Sequence, residues 1–325
     1  MKRSKQWFEI SREGLEAQQL GKPKFHAIRE IIQNSLDENI TRCQIWTGYS
    51  KGKASLTVED DSPGGVRKLD DIYTMFNPSY KRPYADKRGF MNVGEKMAFS
   101  ICESATVETM LGKLTFDKKG RHYTHQLRER GTKVTMNIKM TKEEYDEILK
   151  NIWMIIPPEN SNLVINGLIN PPLKWVMLFN AKLQTVLLYQ NRMQRTVRMT
   201  KVALYDKQTD AYLYEMGIPI CKIDCKYSIN VNQRVPMSID RDMVAEAYLQ
   251  DLFAEVLNNT SNDIKPEESS SLWVRTGMSD ERVEKHAVQD VIKQRYGEKV
   301  VVSTPNDPIS DDDALASGFL SLIHI

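Results

Sequence analysis

The sequence is poor in cysteine, and its cysteines do not follow the spacing of a disulfide framework or a zinc site. The four cysteines lie at positions 43, 102, 221 and 225. Cys221 and Cys225 are separated by three residues and no second pair accompanies them, which argues against zinc and favours reduced thiols in strands or in the core. A disulfide-stabilised secreted domain and a zinc-dependent fold are therefore both disfavoured.

The sequence also lacks long apolar runs and an excess of either charge. No run reaches the ~18 apolar residues that a membrane-spanning helix needs, and the basic N-terminus has no apolar core of signal-peptide length. The 45 basic residues are offset by 43 acidic ones, which gives a net charge of +2. This balance leaves nucleic acid possible as a partner but does not indicate it. A cytoplasmic protein without a membrane span is the expectation.

What the sequence does contain is a polar stripe in the segment 29–39, REIIQNSLDEN. On a helical wheel Glu30, Asn34 and Asp37 lie side by side, and apolar residues such as Ile32 lie on the opposite face. Asparagine is a poor residue for the middle of a helix, and the stripe has no basic residue to pair with its acids. An amide oxygen can bind Mg²⁺ together with phosphates, and a carboxylate one turn away can activate water. The stripe is either a solvated helix face or half of a nucleotide site.

Three later segments contain what a nucleotide site needs besides this stripe. The strand-like residues 54–61 end in Asp60 and Asp61, and a carboxylate there can accept a hydrogen bond from an exocyclic amine. Gly94 precedes a helical run, whose free N–H groups favour phosphate. A further alternating strand follows Thr132. Each segment alone is more typical of a turn or a cap, so it is their order and spacing that predict the site.

Together the four segments resemble the N, G1, G2 and G3 boxes of the GHKL ATPase superfamily, which includes gyrase B subunits, heat-shock-90-type chaperones, histidine kinases and MutL-type repair proteins. The resemblance covers residues 25–140. It implies the α+β class: a two-layer α/β sandwich, the Bergerat-type ATP-binding fold, followed by a smaller strand-rich α/β transducer-like domain. It also implies ATP and Mg²⁺ as cofactors.

The resemblance implies roles for individual residues. Glu30 takes the position of the general base and Asn34 that of the magnesium ligand, whereas Asp37 is left to buttress the helix. Asp60 takes the position of the aspartate that recognises adenine, and Asp61 stays open as the alternative. The other implied cofactor-binding positions are Gly64, Gly89, Gly94, Lys96 and Thr132.

The sequence departs from the family pattern at two places. Ser62 replaces the middle glycine of Asp-x-Gly-x-Gly, and Met91 replaces the glycine usual three residues before Gly94, so Gly89 is expected to serve as the lid hinge. The long polar segment 66–88 corresponds to the lid over ATP. Its basic residues either screen the triphosphate or form a solvated cluster; they are Lys81, Arg82, Lys87 and Arg88.

The rest of the chain is expected to form a second domain and a tail. Pro157-Pro158 breaks the chain, and Asn166-Gly167 signals a hairpin within a strand-rich stretch. The predicted division is 1–156 for the ATP-binding domain, 157–262 for the transducer-like domain, and 263–325 for a linker and a partly ordered C-terminal segment. The chain ends within an apolar run, which leaves open whether the natural chain continues.

The second domain contains two candidate contacts to the γ-phosphate. The segment VPMSIDRDM resembles the chaperone loop whose arginine contacts ATP, and Arg241 stands in the place of that arginine. A planar guanidinium group suits the oxygens of a phosphate. Gln233 and Arg234 form a second candidate pair, which resembles the glutamine-lysine loop of gyrase. The alternative for Arg241 is a surface ion pair with Asp240 or Asp242.

The function that the resemblance implies is Mg²⁺-dependent ATP binding with slow hydrolysis, driving lid closure and a nucleotide-dependent homodimer that acts on an unknown protein client. A non-hydrolysing nucleotide sensor or scaffold is the main alternative. A histidine-kinase-like phosphotransferase is disfavoured because the first histidine, His26, lies inside the site helix. A topoisomerase subunit is disfavoured because no cleavage-tyrosine domain or basic DNA track is evident. A fainter resemblance, from the same helix and residues 213–244, is to phage rapid-lysis-inhibitor-type ATPase proteins.

Overall fold

The computed structural model describes residues 10–89, 91–190, 192–238, 243–302, 316–318 and 320–322. The first half of the chain forms one large sheet with helices packed against it. The helices of this half are α1 (Arg12–Ala17), α2 (Lys24–Leu36), α3 (Gly94–Ser100) and α4 (Lys142–Trp153). Its strands are β1 (Arg42–Ser50), β2 (Lys53–Asp60), β3 (Ser104–Thr109), β4 (Gly112–Asp117), β5 (Gly120–Thr124), β6 (Lys133–Lys139), β7 (Asn162–Ile165) and β8 (Leu168–Asn170).

The position of α2 on this sheet determines where its polar stripe lies. The strands are ordered β5-β4-β3-β6-β2-β1-β7-β8. The apolar face of α2, including Phe25, Ile28 and Ile32, is at most 4% exposed and joins the core formed with the sheet. Burial of that face by helical periodicity leaves Glu30 and Asn34 on the other side.

The second half of the chain forms a five-stranded sheet covered by helices. Its strands, in the order β12-β11-β13-β10-β9, are β9 (Met177–Tyr189), β10 (Arg192–Asp206), β11 (Ala211–Glu215), β12 (Ile218–Ile223) and β13 (Tyr227–Val231). Its helices are α5 (Glu246–Thr260), α6 (Leu272–Met278) and α7 (Lys285–Tyr296). A short parallel pair, β14 (Val300–Val302) and β15 (Leu320–Leu322), follows. The predicted mixed α/β architecture with two sheets is confirmed.

The hairpin predicted at Asn166-Gly167 is present, but it belongs to the first sheet. It joins β7 to β8, and its two residues have positive φ angles of 48° and 84°, as a type I′ turn requires. Because β7 pairs with β1, the first sheet ends only at Asn170. A boundary drawn by sheet membership is therefore later than residue 157, and the division into domains stays a prediction.

Among the described residues, no helix is long and apolar enough to cross a bilayer.

Candidate functional site

A cavity of about 910 Å³ is enclosed by α2, by the connection between β2 and α3, and by residues of the second sheet. This volume suits a ligand of nucleotide size. The predicted site residues in its wall are Glu30, Asn34, Asp60, Gly89, Gly94, Thr132 and Arg234. Gly64, Lys96 and Gln233 are not among the lining residues. Arg241 lies outside the described residues, so its role stays a prediction.

Two glycines pack directly against the polar stripe of α2. A Cβ atom on Gly94 would lie 2.2 Å from Oε2 of Glu30, and a Cβ atom on Gly89 would lie 2.9 Å from Oδ1 of Asn34. Any side chain at position 94 would collide with the carboxylate. Because Gly89 and Gly94 have no side chains, the main chain that leads into α3 can lie directly against Glu30 and Asn34.

This packing predicts that Gly94→Ala disturbs the site. The added methyl group is expected to push the Glu30 carboxylate from its position and to weaken ATP binding, whereas the free energy of unfolding changes by less than about 1 kcal/mol because the flexible end of a side chain can move aside. Urea unfolding and the affinity for ATP would both be measured. Gly64→Ala is the matched control, because Gly64 has open space around it and no positive φ. Equal behaviour of the two variants would contradict the proposed role of Gly94.

Asp60 ends β2 and is 4% exposed. Its Oδ1 accepts hydrogen bonds from the main-chain N–H of Ser62 at 3.0 Å, from the Ser62 hydroxyl at 2.6 Å and from the N–H of Thr132 at 3.3 Å. Gly131 makes this approach possible, because its φ is 68° and a Cβ there would lie 1.9 Å from the Asp60 carbonyl. Burial raises the pKa of Asp60, and hydrogen bonds from Ser62 and Ser35 offset only part of the rise. Asp60 is a rigidly held acceptor in the cavity wall.

Asp61, the alternative to Asp60, binds elsewhere. Its Oδ1 accepts the main-chain N–H groups of Thr41 at 2.9 Å and Arg42 at 3.0 Å. Unlike Asp60, it does not line the cavity. Of the two aspartates, Asp60 is therefore the one that lies in the cavity wall.

The loop after Asp60 reaches the cavity through Gly65 instead of Gly64. Gly65 has a φ of 49°, and a Cβ on it would lie 3.8 Å from Oγ1 of Thr132. Ser62, which stands where the family pattern has a glycine, uses its hydroxyl to hold Asp60. The sequence could not separate two adjacent glycines, because only the folded path of the loop decides which one faces the cavity.

Asp37 is the centre of a buried ion-pair network. Its side chain is 0% exposed, with Oδ1 2.7 Å from Nε of Arg88 and Oδ2 3.4 Å from Nζ of Lys81. The main-chain N–H groups of Arg88 and Gly89 also donate to Oδ2. Burial alone would raise the pKa of this carboxyl, but the charges of Arg88 and Lys81 hold it well below its usual range. Arg88 further donates from Nη1 to the carbonyl of Met216, 3.0 Å away in the turn after β11.

Arg234 fixes the same segment, residues 81–88, which we name the strap. Arg234 is 2% exposed. Its Nε donates to the carbonyl of Lys87 at 2.5 Å, its Nη1 to that of Val186 on β9 at 2.9 Å, and its Nη2 to that of Lys81. The strap thus connects the end of α2 to the second sheet, and Arg234 lines the cavity while bonded to main-chain carbonyls.

Lys96 and Gln233 do not line the cavity themselves, although Lys96 contacts Asn92 and Glu95, which do. Lys96 is 6% exposed, and its Nζ lies 2.9 Å from Oδ1 of Asn92. Gln233 is 2% exposed, and its Nε2 donates to the carbonyl of Leu183 at 3.1 Å. In this arrangement neither side chain reaches the ligand space, so their assignment to the cofactor stays a prediction without geometric support.

Sequence reasoning missed a polar cluster in the cavity wall. The hydroxyl of Tyr80 donates to Oε1 of Glu38 at 2.6 Å, and the guanidinium of Arg67 lies 3.5 Å from the centre of the Tyr80 ring. Burial, together with the Glu38 carboxylate, raises the pKa of Tyr80. Lys81 completes the cluster, with Nζ 3.3 Å from Oε1 of Glu38. The available signal was the clustering of basic residues in the segment 66–88.

No group of three or more His, Cys, Asp or Glu side chains in the described part of the chain is arranged to hold a metal ion. Asn34, with its amide oxygen in the cavity wall, suits a Mg²⁺ ion that takes its other ligands from phosphates and water.

Residues 22–142 match the family described as histidine kinase-, DNA gyrase B- and HSP90-like ATPases. The match contains α2 to β6 and ends before the second sheet. It confirms the resemblance to the GHKL superfamily and supports ATP binding. No curated protein matches the chain by sequence.

Two solved structures of the ATPase region of Saccharomyces cerevisiae topoisomerase II are similar in shape to parts of the chain. One has a TM-score of 0.46 at 12% identity and covers 69% of this chain and 78% of that one. The other, bound to ICRF-187 (dexrazoxane), has a TM-score of 0.45 at 10% identity and covers 89% of this chain and 86% of that one.

Proposed function

We propose, on the premise that residues 22–142 form a domain of the histidine kinase-, DNA gyrase B- and HSP90-like ATPase type, that the protein binds ATP with Mg²⁺ in the cavity and hydrolyses it slowly. One observation carries the proposal. Different segments of the chain bring the carboxyl group of Asp60, the carboxyl group of Glu30 and the amide of Asn34 into the wall of one cavity, and this supports their proposed roles towards the base, the water and the magnesium ion.

The adenine is proposed to bind at Asp60. A buried carboxyl fixed by Ser62 and Thr132 is oriented before the ligand arrives, and its hydrogen bond to an exocyclic amine would be charge-assisted. Apolar residues around it, including Ile72 and Val107, provide the surface on which a flat ring packs.

The phosphates are proposed to lie between α2 and Gly94. Asn34 would hold Mg²⁺ through its amide oxygen, and the ion would supply charge neutralisation on the phosphate oxygens. Glu30 would orient the attacking water and accept its proton. Lys81, whose Nζ lies 3.3–3.4 Å from the carboxylates of Glu38 and Asp37, adds a positive charge at this end.

The strap is proposed to carry the response to ATP into the second sheet. Lys81 and Gly89 line the cavity, while Arg88 and Arg234 bond the same segment to the second sheet. A ligand that draws Lys81 towards its phosphates must therefore shift contacts to β9 and to the turn after β11. Closure of this kind, followed by association of two chains, constitutes the proposed clamp.

The proposal predicts that Glu30→Gln separates binding from turnover. The amide keeps the size of the carboxylate but cannot accept a proton, so hydrolysis is expected to fall by about 10²–10⁴-fold while the affinity for ATP changes little. Calorimetry with a non-hydrolysable analogue gives the affinity, and phosphate release gives the rate. Glu147→Gln, at an exposed position of α4, is the control. Undiminished hydrolysis in Glu30→Gln would refute the role of Glu30.

Light scattering on the same samples tests the clamp. A dimer that forms only with the analogue and Mg²⁺ is expected. A monomer under all conditions, together with ATP binding and no hydrolysis by the unmodified chain, would favour the alternative function of a nucleotide sensor.

A further inference from the structure

The charge of the chain is balanced overall but not locally. Of its 325 residues 43 are acidic, yet none lies between Glu159 and Asp206. The basic residues of the same stretch are Lys174, Lys182, Arg192, Arg195, Arg198 and Lys201. The small net charge of the whole chain therefore conceals a long cationic segment, most of which lies in β9 and β10.

Much of this segment is a two-stranded ribbon. β10 pairs with β13 only over residues 202–206, whereas residues 192–204 pair with β9. Residues 192–201 and their partners on β9 thus extend past the five-stranded sheet, and we name this part the ribbon. The β9 strand of the ribbon is fixed by two side-chain hydrogen bonds, from Arg234 to the carbonyl of Val186 and from Gln233 to the carbonyl of Leu183.

The four cations that β10 contributes to the ribbon are exposed and have no carboxylate partner among the described residues. Arg192, Arg195, Arg198 and Lys201 are all exposed. None of the four forms an ion pair with a carboxylate of the described residues. On β9, Lys182 interacts with Glu255, and Gln184 donates to Oδ2 of Asp251 at 3.2 Å, a carboxylate that also pairs with Arg282. Large apolar side chains lie between them: Val197 is 58% exposed, Met199 59% and Tyr189 61%.

We propose that the ribbon binds the phosphodiester backbone of a nucleic acid. Arginine guanidinium groups bind phosphate oxygens in bidentate fashion, and three of the four cations are arginines. Alternate side chains point to opposite faces of a strand, so Arg195 and Lys201 share one face at a separation of about 20 Å, a span of several phosphates. Val197 and Met199 share this face, and their exposed side chains offer apolar surface against which bases can pack.

The ordinary explanation of such a surface is edge protection. Charged residues on an unpaired strand prevent association with other strands. Edge protection, however, does not require one sign of charge, and carboxylates are absent from both strands of the ribbon. A partner of strongly negative charge is the better match, and a nucleic acid fits the arginine content.

The test is binding of labelled nucleic acid to the full chain, measured by fluorescence anisotropy. A duplex and a single strand, each of about 20 nucleotides, are titrated between about 50 and 200 mM salt. The triple variant Arg195→Gln, Arg198→Gln, Lys201→Gln is expected to bind at least about 10-fold more weakly, with the slope of log affinity against log salt reduced by about 2, because Arg195 and Lys201 share the binding face. The stronger of the two wild-type titrations identifies the strand form.

The control removes the same charge from another surface. Lys118→Gln, Lys119→Gln, Lys139→Gln changes exposed lysines of the first sheet, and its affinity is expected to stay within about 3-fold of wild type. Equal losses in both triple variants, no binding by the wild type at about 50 mM salt, or stronger binding of polyglutamate than of either nucleic acid would overturn the proposal. The affinity for ATP, measured alongside, is expected to be unchanged in both variants.

Discussion

Asp60→Asn is expected to weaken ATP binding by about 100-fold. The substitution keeps one oxygen for Ser62 and Thr132 but replaces the other with an amide that donates, which places a donor against the exocyclic amine of adenine. Loss of a charge-assisted hydrogen bond costs about 1.5–3 kcal/mol, and a donor left facing a donor adds to it. Calorimetry with a non-hydrolysable ATP analogue measures the change.

Two comparisons make the result decisive. Asp61→Asn, one residue along the chain, is expected to leave the affinity within about 3-fold, because Asp61 binds Thr41 and Arg42 outside the cavity. The reverse ranking of the two variants would transfer the role to Asp61.

Loss of binding in Asp60→Asn should not come from unfolding. The pKa of Asp60 is raised in the folded chain, so its ionisation costs folding free energy. That cost is absent below the unfolded pKa of about 3.9 and complete above the folded pKa. Asparagine removes the cost at neutral pH, and the variant is expected to resist urea at least as well as the wild type.

Asp37→Asn is expected to lower the free energy of unfolding by about 3–5 kcal/mol at pH 7. The substitution leaves the buried guanidinium of Arg88 without its carboxylate, and an uncompensated buried charge is among the most costly defects in a protein. Urea denaturation followed by circular dichroism measures the loss. Asp146→Asn, which removes an exposed pair with Lys142, is expected to cost less than about 0.5 kcal/mol. Similar small effects in both variants would contradict the structural role of Asp37.

The same pair predicts a pH dependence. The folded pKa of Asp37 lies below its unfolded value, so its contribution is complete above the unfolded pKa of about 3.9 and is lost as the pH falls towards the folded pKa. The difference in stability between wild type and Asp37→Asn should therefore be constant near neutral pH and shrink below about pH 4. A difference that grows on acidification would contradict this assignment.

Elements with strong periodicity were predictable from the sequence. The segment 29–39, whose helical periodicity is plain in the sequence, belongs to α2, which ends at Leu36. α4 likewise begins at a capping box that the residue types allow, in which Thr141 and Glu144 bond to each other's main-chain N–H groups. The full lengths of β9 and β10 are not evident from the sequence, because the outer residues of β10 are mostly polar or basic. Pairing between the two strands, which is decided by contacts between distant residues, makes them extended.

The residues of the candidate site were also predictable only in part. Glu30, Asn34 and Asp60 could be proposed because each stands in a motif whose local geometry limits the residue type. The partners of Asp37 could not, since Lys81 and Arg88 come from a connection without periodicity and meet α2 only in the folded chain. The sequence suggested a solvated cluster or a phosphate screen, and the structure buries two of its cations on a carboxylate.

Arg234 recognises the strap through carbonyl oxygens of the main chain. Every amino acid presents the same carbonyl, so this attachment does not depend on which side chains occupy positions 82 to 87. Substitutions there can alter how the strap meets a ligand without releasing it from the second sheet. The strap beside the cavity can therefore accept substitutions as the protein adapts to a new ligand or client. The substitutions that it excludes are mainly those that change the path of the backbone.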